Sequence, residues 1–482
     1  MKILFVYSQE YGLLPNGLLD HQERMQFGIS YISSVLRQYG HQTELIVLSR
    51  ILRRKNSAIA EDCLKRFKPG LICMTAVATQ YPFLREIAKR IRRLYPEIYL
   101  VMGGTHATLY PDEILKDDFD AICIGEGEMA ILELAAQLEK GQVPSGISNL
   151  WIKRGSAIER NAPEEFFRDL DALPFPDREM WQKWMFQKTP ERCSLLLSRG
   201  CPFDCTYCSN PALKKSAPGL YVRYRSPDNI VAEIKGIREA FPSMREIYFE
   251  TESIGMNLPW CRDLCLALER LNASLETPLT YGANIRIVSG VGQENIFPAL
   301  QRANFRFVNI GLESGSDRIR REILGRSYSN DDIVNAVRIA RRHNLKISLF
   351  NLIGVPGETL SDFRETVKIN RICKPDWHFT SIFFPYPGTD LYRVCGEKGL
   401  LNKPLDPVDE RRRAVLDLPG FSKKQIQECY DFFDWYIYKG FDPEDGFRIR
   451  LLKMKEAALK LLRQLKEYPR FLISRARAIA FK

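Results

Sequence analysis

Ser198-Arg-Gly-Cys-Pro-Phe-Asp-Cys-Thr-Tyr-Cys-Ser-Asn-Pro211 carries three cysteines, Cys201, Cys205 and Cys208, on one short loop broken by Gly200, Pro202 and Pro211. Iron–sulfur clusters are held by cysteine thiolates at short spacings. Three thiolates leave one iron of a four-iron cluster without a protein ligand, and an open coordination site is where a substrate can meet the metal. A zinc knuckle wants a fourth Cys or His close by, in paired short spacings, and none follows within this loop. Free cysteine is a common buried small hydrophobe, but a polar loop with glycine and prolines is a poor place for burial alone. The stretch therefore points to a metal cluster used in chemistry.

The loop resembles that of the radical S-adenosylmethionine superfamily in its form Cys-x-x-x-Cys-x-aromatic-Cys, with Tyr207 before the third cysteine. The resemblance implies a 4Fe–4S cluster on Cys201, Cys205 and Cys208, whose open iron is chelated by the amino and carboxylate groups of S-adenosylmethionine, and Tyr207 packed near the adenine. An electron from the reduced cluster, supplied by an external donor such as flavodoxin or ferredoxin, would cleave the sulfonium to a 5′-deoxyadenosyl radical.

Upstream of the loop, strand patterns at 2–8, 43–48, 71–77, 98–103 and 120–125 alternate with helical patterns at 29–39, 57–67, 83–95 and 128–140. Repeated βα units predict a doubly wound parallel sheet over residues 1–140, with ligand at the carboxyl ends of the strands. Gly103-Gly104-Thr105-His106 and Gly125-Glu126-Gly127-Glu128 fall at two such ends, where glycine lets backbone approach a bulky ligand. With the cluster loop, this region resembles the Rossmann-like cobalamin-binding domain that precedes the radical domain in one branch of the superfamily. Thr75-Ala-Val77 falls where many such domains carry Ser-x-Leu, and Gly103-Gly104 matches their Gly-Gly. The resemblance thus gives Thr75, Val77, Gly103, Gly104, Thr105, His106, Gly125, Glu126 and Gly127 to cobalamin. The loop 9–17 lacks Asp-x-His-x-x-Gly, so a base-off cobalamin without a histidine lower ligand from that motif is expected; His21 and His106 read as turn or surface residues. Residues 141–190, rich in proline and aromatics, read as extended connector.

Downstream, six strand patterns at 194–198, 246–250, 279–287, 307–312, 346–352 and 378–384 alternate with helical patterns at 228–241, 260–271, 294–303, 331–343 and 360–373. Six units over 191–392 are consistent with the partial (β/α)6 barrel of the superfamily, and catalytic groups of such barrels gather at the carboxyl ends of strands. Polar motifs stand there: Glu250-Thr-Glu-Ser253, Asn284-Ile-Arg286, Gly311-Leu-Glu-Ser-Gly-Ser316 and Gly354-Val-Pro-Gly-Glu-Thr359. By resemblance, Glu252, Arg286, Glu313, Ser314 and Ile353 join Tyr207 in holding S-adenosylmethionine. One departure is that Thr251 and Glu252 stand where the branch often has two aspartates. Taken singly, Glu250, Glu252 and Glu313 would pass for solvated ion-pair partners worth little; standing in order at successive strand ends, they favour a site. Cys261 and Cys265 lie in an amphipathic helical pattern and read as packing.

The 482 residues exceed one ordinary core, and 45% hydrophobic with 27% charged residues is a soluble globular composition. No apolar run of about 18 residues predicts a spanning helix, the N-terminus reads as a strand and not a signal peptide, and twelve scattered cysteines suit a reducing cytosol. The net charge of +11 is concentrated at the end: 447–482 hold eleven Lys or Arg against two Glu. Leu451, Leu452, Leu461, Leu462, Leu465, Phe471, Leu472 and Ile473 recur there at near-helical spacing, so 393–482 reads as a basic, mostly helical region. Packing onto the body is its expected role, with peripheral contact to the inner face of a membrane as the alternative.

The resemblance implies a cobalamin-dependent radical methyltransferase acting on an unactivated carbon of a small-molecule or lipid-like substrate. One S-adenosylmethionine would methylate cob(I)alamin and a second would be cleaved at the cluster. A second expectation keeps both cofactors but transfers no methyl, as in the anaerobic ring-forming cyclase of bacteriochlorophyll synthesis. A third, a cofactor-bearing sensor binding nucleic acid through its tail, finds no recognition helix, RNA-binding module or interleaved aromatics to support it. The tail is tested by liposome flotation: if it packs on the body, the full chain and a version ending near Phe441 float in equal yield, whereas recovery that falls on truncation shows membrane contact.

Overall fold

Five apolar runs form β1 (Lys2–Ser8), β2 (Gln42–Leu48), β3 (Leu71–Thr75), β4 (Tyr99–Gly103) and β5 (Ala121–Cys123), paired in parallel in the order β2-β1-β3-β4-β5. The computed structural model describes residues 1–9, 14, 18–20, 24–187, 189–290, 293–401, 405–406 and 410–455. Continuous apolar strands are what a sheet buried on both faces requires. Ile3, Phe5, Leu45 and Val47 pack on one side with α1 (Phe27–Gln38) and α6 (Glu128–Glu139). Leu4, Val6, Ile46 and Leu48 pack on the other with α2 (Lys55–Phe67) and α3 (Tyr81–Leu94). Short α4 (Thr105–Leu109) and α5 (Pro111–Ile114) connect β4 to β5. The chain reverses its direction of travel across the sheet between β1 and β3, which opens a crevice at their carboxyl ends.

Residues 141–190 are not an extended connector. β6 (Leu150–Arg154) and β7 (Ala157–Arg160) form a hairpin added antiparallel to β5, making seven strands. The 3-10 turn Glu179–Trp184 then brings Trp181, fully buried, into the same cluster as Ile3 and Phe5, where its Nε1 donates to Ser30 Oγ at 2.8 Å. The prolines bend this segment around the first sheet instead of away from it.

The second sheet is β8 (Arg192–Leu196), β11 (Glu246–Glu250), β12 (Thr280–Ile285), β13 (Phe305–Glu313), β14 (Lys346–Ile353) and β15 (Trp377–Ile382), all parallel and adjacent in that order. It does not close, so it is a six-unit partial barrel; β9 (Ser198–Arg199) and β10 (Arg223–Tyr224) form a separate antiparallel pair at its mouth. After the cluster loop comes α7 (Asn210–Lys214), and α8 (Pro227–Ala240), α9 (Leu258–Ala273), α10 (Gln293–Arg302), α11 (Asn330–Arg342) and α12 (Leu360–Cys373) cover the outside. Ser226 and Asn257 cap α8 and α9, and capping boxes Ser329/Asp332 and Thr359/Asp362 start α11 and α12, which is why each helix begins just past a strand end. Alternation along β11 sends Ile247 and Phe249 out to the helices and leaves Tyr248 and Glu250 inside the barrel. Cys261 and Cys265 are buried in α9, as packing requires.

α13 (Asp390–Glu397), α14 (Lys423–Asp431) and α15 (Phe433–Tyr438) pack on α12 and β14 through Phe363, Ile426, Phe433 and Tyr436. Residues 446–455 are helical, and the tail from 456 lies outside the described residues. Among the described residues no helix is long and apolar enough to cross a membrane. Trp181→Ala removes an aromatic from the first core and one hydrogen bond from Ser30, whose Oγ still donates to Gln26 O; it should cost about 3–5 kcal/mol in urea unfolding, whereas a loosely attached connector would lose almost nothing.

Candidate functional site

Gly200 opens the cluster loop in the left-handed region at φ +85, and a Cβ there would stand 2.1 Å from Tyr221 O. Glycine is thus required for β9 to pass β10 at this distance. The loop is pinned by Thr206 N donating to Leu324 O at 3.4 Å and Leu391 N donating to Thr206 O at 3.0 Å. Cys205 is buried, with Cys201 and Cys208 half-buried beside it, and all three are free thiols. Arg286 Nη1 donates to Cys205 Sγ at 2.8 Å, and Asn210 N and Nδ2 donate to Cys208 Sγ at 3.4 and 3.6 Å. Burial pushes the Cys201 thiol up to about 11 and raises Cys208 as well. A bound cation would bring such groups to the thiolate form, and the N–H donors already face the sulfurs as they would face anions. Among the described residues no three His, Cys, Asp or Glu are arranged around a single metal ion; a cubane cluster instead takes each thiolate on a different iron. The donor set fits such a cluster.

The strand-end residues divide. Glu252 accepts from Asn210 Nδ2 at 3.2 Å, and Tyr221 OH orients Asn210 by donating to its Oδ1 at 2.6 Å. Arg286 stacks over Phe203 at 3.7 Å and its N–H donates to Ser253 Oγ at 2.9 Å, so it belongs to the cluster loop. Glu313 sits at φ +56, a strained backbone for a residue with a Cβ, and pairs with Arg326 at 3.2 Å. Arg326 lies 5.7 Å from the Tyr207 ring and donates to Tyr328 OH at 3.2 Å, leaving its buried Nε without a partner among the described residues. Ser314 and Ile353 have buried side chains. Ser314 is fully buried and its Oγ accepts from Ser316 N at 3.2 Å, closing the turn. Ile353 is fully buried in the core shared with α12 and α14, and its carbonyl accepts from Phe383 N at 2.8 Å. Asn210 and Arg326 escaped the sequence: Asn210 lies two residues past Cys208 with an unremarkable side chain, and Arg326 reaches its partners only through the fold. Glu358 was also missed; it accepts from Gly354 N and Val355 N, and burial pushes it up to about 8.

A cleft of about 210 Å3 opens at the carboxyl ends of the first sheet. Thr75, Gly103, Gly104, Gly125, Glu126 and Gly127 border it, as do Leu196 and Arg199 from the second unit. Gly104 has φ +90, and a Cβ there would lie 2.5 Å from Thr75 Oγ1. This glycine-lined cradle at a topological switch point suits a bulky, flat ligand, and residues present fit cobalamin. Val77, 40% exposed, Thr105 and His106 are not among the lining residues. His106 is neither at the surface nor in the cleft: it is buried between Tyr81 and Tyr110, with ring centroids at 4.6 and 5.9 Å. Burial lowers it to about 4. His21 lies outside the described residues.

Glu126 is paired from the second unit. Its Oε1 accepts from Arg199 Nη1 at 2.9 Å, and its Oε2 accepts from Arg223 Nη1 at 2.9 Å and Phe167 N at 2.7 Å. Glu128 Oε1 accepts from Arg199 Nη2 at 2.6 Å. Burial opposes ionisation of Glu126, and the two arginines outweigh it, holding the carboxyl below its ordinary range. The acidic residues of Gly-Glu-Gly-Glu therefore pair with arginines of β9 and β10 while bordering the cleft. Arg199 stands two residues before Cys201, and its guanidinium lies 5.1 Å from the ring of Tyr31, another lining residue.

Residues 195–369 match the Radical SAM superfamily and residues 22–135 the B12 binding domain. The chain is 24% identical over 446 residues, 90% of its length and 93% of the relative's, to an uncharacterized methyltransferase of Pyrococcus horikoshii. It is 22% identical over 388 residues, 77% of its length and 66% of the relative's, to the anaerobic magnesium-protoporphyrin IX monomethyl ester cyclase of Rubrivivax gelatinosus. Among solved structures, the radical S-adenosylmethionine methyltransferase TsrM from Kitasatospora setae with cobalamin and a 4Fe–4S cluster bound has a TM-score of 0.68 at 17% identity, covering 92% of this chain and 89% of that one. That likeness is one of fold.

The position of His106 has a pH consequence. Its folded value of about 4 lies below its ordinary 6.5, so the unfolded chain takes up a proton first as pH falls. Its contribution is complete above about 6.5 and is lost on descending toward 4. His106→Phe, which keeps the aromatic stack, should spare about 2 kcal/mol of the stability lost between pH 7.5 and pH 5 in urea unfolding; equal losses in both proteins would show a histidine that titrates normally.

Proposed function

We propose that this chain, a radical SAM domain preceded by a B12 binding domain, is a cobalamin-dependent radical S-adenosylmethionine methyltransferase acting on an unactivated carbon of a small-molecule or lipid-like substrate. The observation that carries the proposal is the shared wall: Leu196 and Arg199, on the strands that lead to Cys201, border the glycine-lined cleft of the first domain. When bound, the cluster with S-adenosylmethionine supplies a hydrogen-abstracting radical and cobalamin supplies a transferable methyl group.

The chain's own groups take defined parts. Cys201, Cys205 and Cys208 would hold the cluster by their thiolates and leave one iron open for S-adenosylmethionine. Tyr207, Glu252 and the Glu313–Arg326 pair are the candidates for orienting it, since they stand around the loop at the strand ends. Thr75, Gly103, Gly104, Gly125 and Gly127 would shape the cobalamin cleft, and no histidine is among its lining residues that the structure describes; a base-off cobalt is part of the proposal. The join between the sheets, buried at Arg199 and Arg223, excludes water from the region where a carbon radical would form. An external one-electron donor of the flavodoxin or ferredoxin class completes the system, which we place in the cytoplasm.

A non-methylating ring closure is the second reading, favoured by the likeness to the Rubrivivax gelatinosus cyclase. Protein purified and reconstituted without oxygen should hold about one four-iron cluster and one cobalamin per chain, with a base-off cobalt signal in electron paramagnetic resonance (EPR). Cys205→Ala should lose the cluster and keep the cobalamin. Cluster without cobalamin would sink the methyltransferase proposal, and a product lacking one added methylene would favour the cyclase.

A further inference from the structure

Two of the three cluster cysteines accept N–H groups from the chain, and the donors differ in charge. Cys208 accepts from neutral donors, Asn210 N and Nδ2. Cys205 accepts from the guanidinium of Arg286 at 2.8 Å. That guanidinium is fixed from two directions. Its carbon lies 3.7 Å from the centroid of Phe203, inside the loop between Cys201 and Cys205, and its strand end is tied by Arg286 N donating to Ser253 Oγ at 2.9 Å. Among the described residues no carboxylate forms an ion pair with Arg286, so its charge is spent on the sulfur. On the far side, the carboxylate of Glu252 accepts from Asn210 Nδ2 at 3.2 Å, behind Cys208. A positive charge thus stands at one corner of the loop and a negative charge behind another.

We propose that Arg286 sets the reduction potential of the cluster, raising it, and that Glu252 opposes this from the Cys208 side. Reduction adds one electron and one negative charge to the cluster while an external donor of the flavodoxin or ferredoxin class is oxidised by one electron. A guanidinium donating to a ligand sulfur stabilises the reduced form more than the oxidised one, and hydrogen bonds to the sulfurs are an established lever on cluster potential. The neutral donors on Cys208 act in the same direction with less force. Arg286 is thereby a residue of the electron-transfer step and not the S-adenosylmethionine ligand expected from the sequence. The inference rests on the reading of Cys201, Cys205 and Cys208 as cluster ligands.

The test is the midpoint potential of the reconstituted cluster, followed by EPR without S-adenosylmethionine, in the wild type, Arg286→Gln, Arg286→Lys and Glu252→Gln. Iron and sulfide analysis comes first: a wild type without a four-iron cluster defeats the reading of the cysteines and not this inference. With clusters present, Arg286→Gln should have a more negative midpoint than the wild type, Arg286→Lys should fall between them because it keeps charge but loses the planar fork, and Glu252→Gln should move the other way. Opposite signs are a readout that a general loosening of the loop would not give. An unshifted Arg286→Gln overturns the proposal. So does loss of iron from that variant alone, which would make Arg286 an assembly residue, or a shift seen only with S-adenosylmethionine added, which would return Arg286 to that ligand. If Arg286→Gln does not fold, an unshifted Arg286→Lys overturns it.

Discussion

Arg199 and Arg223 from the second unit meet Glu126 and Glu128 from the first in a network whose charges balance, two against two. Taking four charged groups out of water is expensive, and the cost is offset only when geometry and hydrogen bonding are good. Here the geometry is good: Arg199 spreads its two terminal nitrogens over two carboxylates, and Glu126 spreads its two oxygens over two guanidiniums and the Phe167 N–H. Such a network adds little net stability compared with well-packed apolar groups. It does penalise any other arrangement heavily, because a shifted partner leaves a buried charge alone. Its effect is register, fixing which end of one sheet faces which end of the other.

That register decides what lies next to what. The second sheet and the first five strands of the first sheet are parallel, so each gathers its loops at carboxyl ends, and a join through the Gly-Glu-Gly-Glu turn and β9 points those ends at one another. α4, which starts at Gly104, packs on α7, which follows the cluster loop. Gly388 allows the barrel's last loop to approach Leu109 on the same α4, where a Cβ would come within 3.1 Å of Leu109 Cδ1. The cleft bordered by Thr75 and Gly104 and the loop bearing Cys201 are consequently neighbours in the fold, although they are separated by about a hundred residues of chain.

The parts legible in the sequence were those with local signals. The buried strands showed as apolar runs and the helices as capped amphipathic stretches, so β11 at 246–250 and α12 at 360–373 coincide with their expected limits. The hairpin β6–β7 was missed because its two short strands alternate weakly and stand among prolines that favour extended chain, and Trp181 gains its meaning only from Ser30. The site was legible where chemistry demands a residue type at a fixed spacing, as in the three cysteines. It was not legible where side chains act across the fold. Glu126 lies 73 residues from Arg199 and 97 from Arg223, and nothing near it in the chain announces that its carboxylate is occupied. Ser314 and Ile353 stand at strand ends with their side chains in a turn and in the core, so a ligand there would meet their backbone.

The barrel's two surfaces show what the site costs and what offsets it. Outward residues such as Ile247, Phe249, Val308 and Ile310 are fully buried against helices, and supply hydrophobic stabilisation. Inward positions include a polar cluster: Tyr248 OH donates to Asn284 Oδ1 at 2.7 Å, and Asn309 Nδ2 donates to both at 3.1 and 3.0 Å. Higher up, Glu313 holds a left-handed backbone and Arg326 keeps a buried Nε without a partner among the described residues. Strain and an unmet donor at one strand end each cost free energy in the empty protein, of order 1–3 kcal/mol. A chain selected for stability alone would lose them by small substitutions. Their persistence beside Tyr207 follows if a polar ligand meets the donor there, so that the apolar outer face bears a cost that binding recovers.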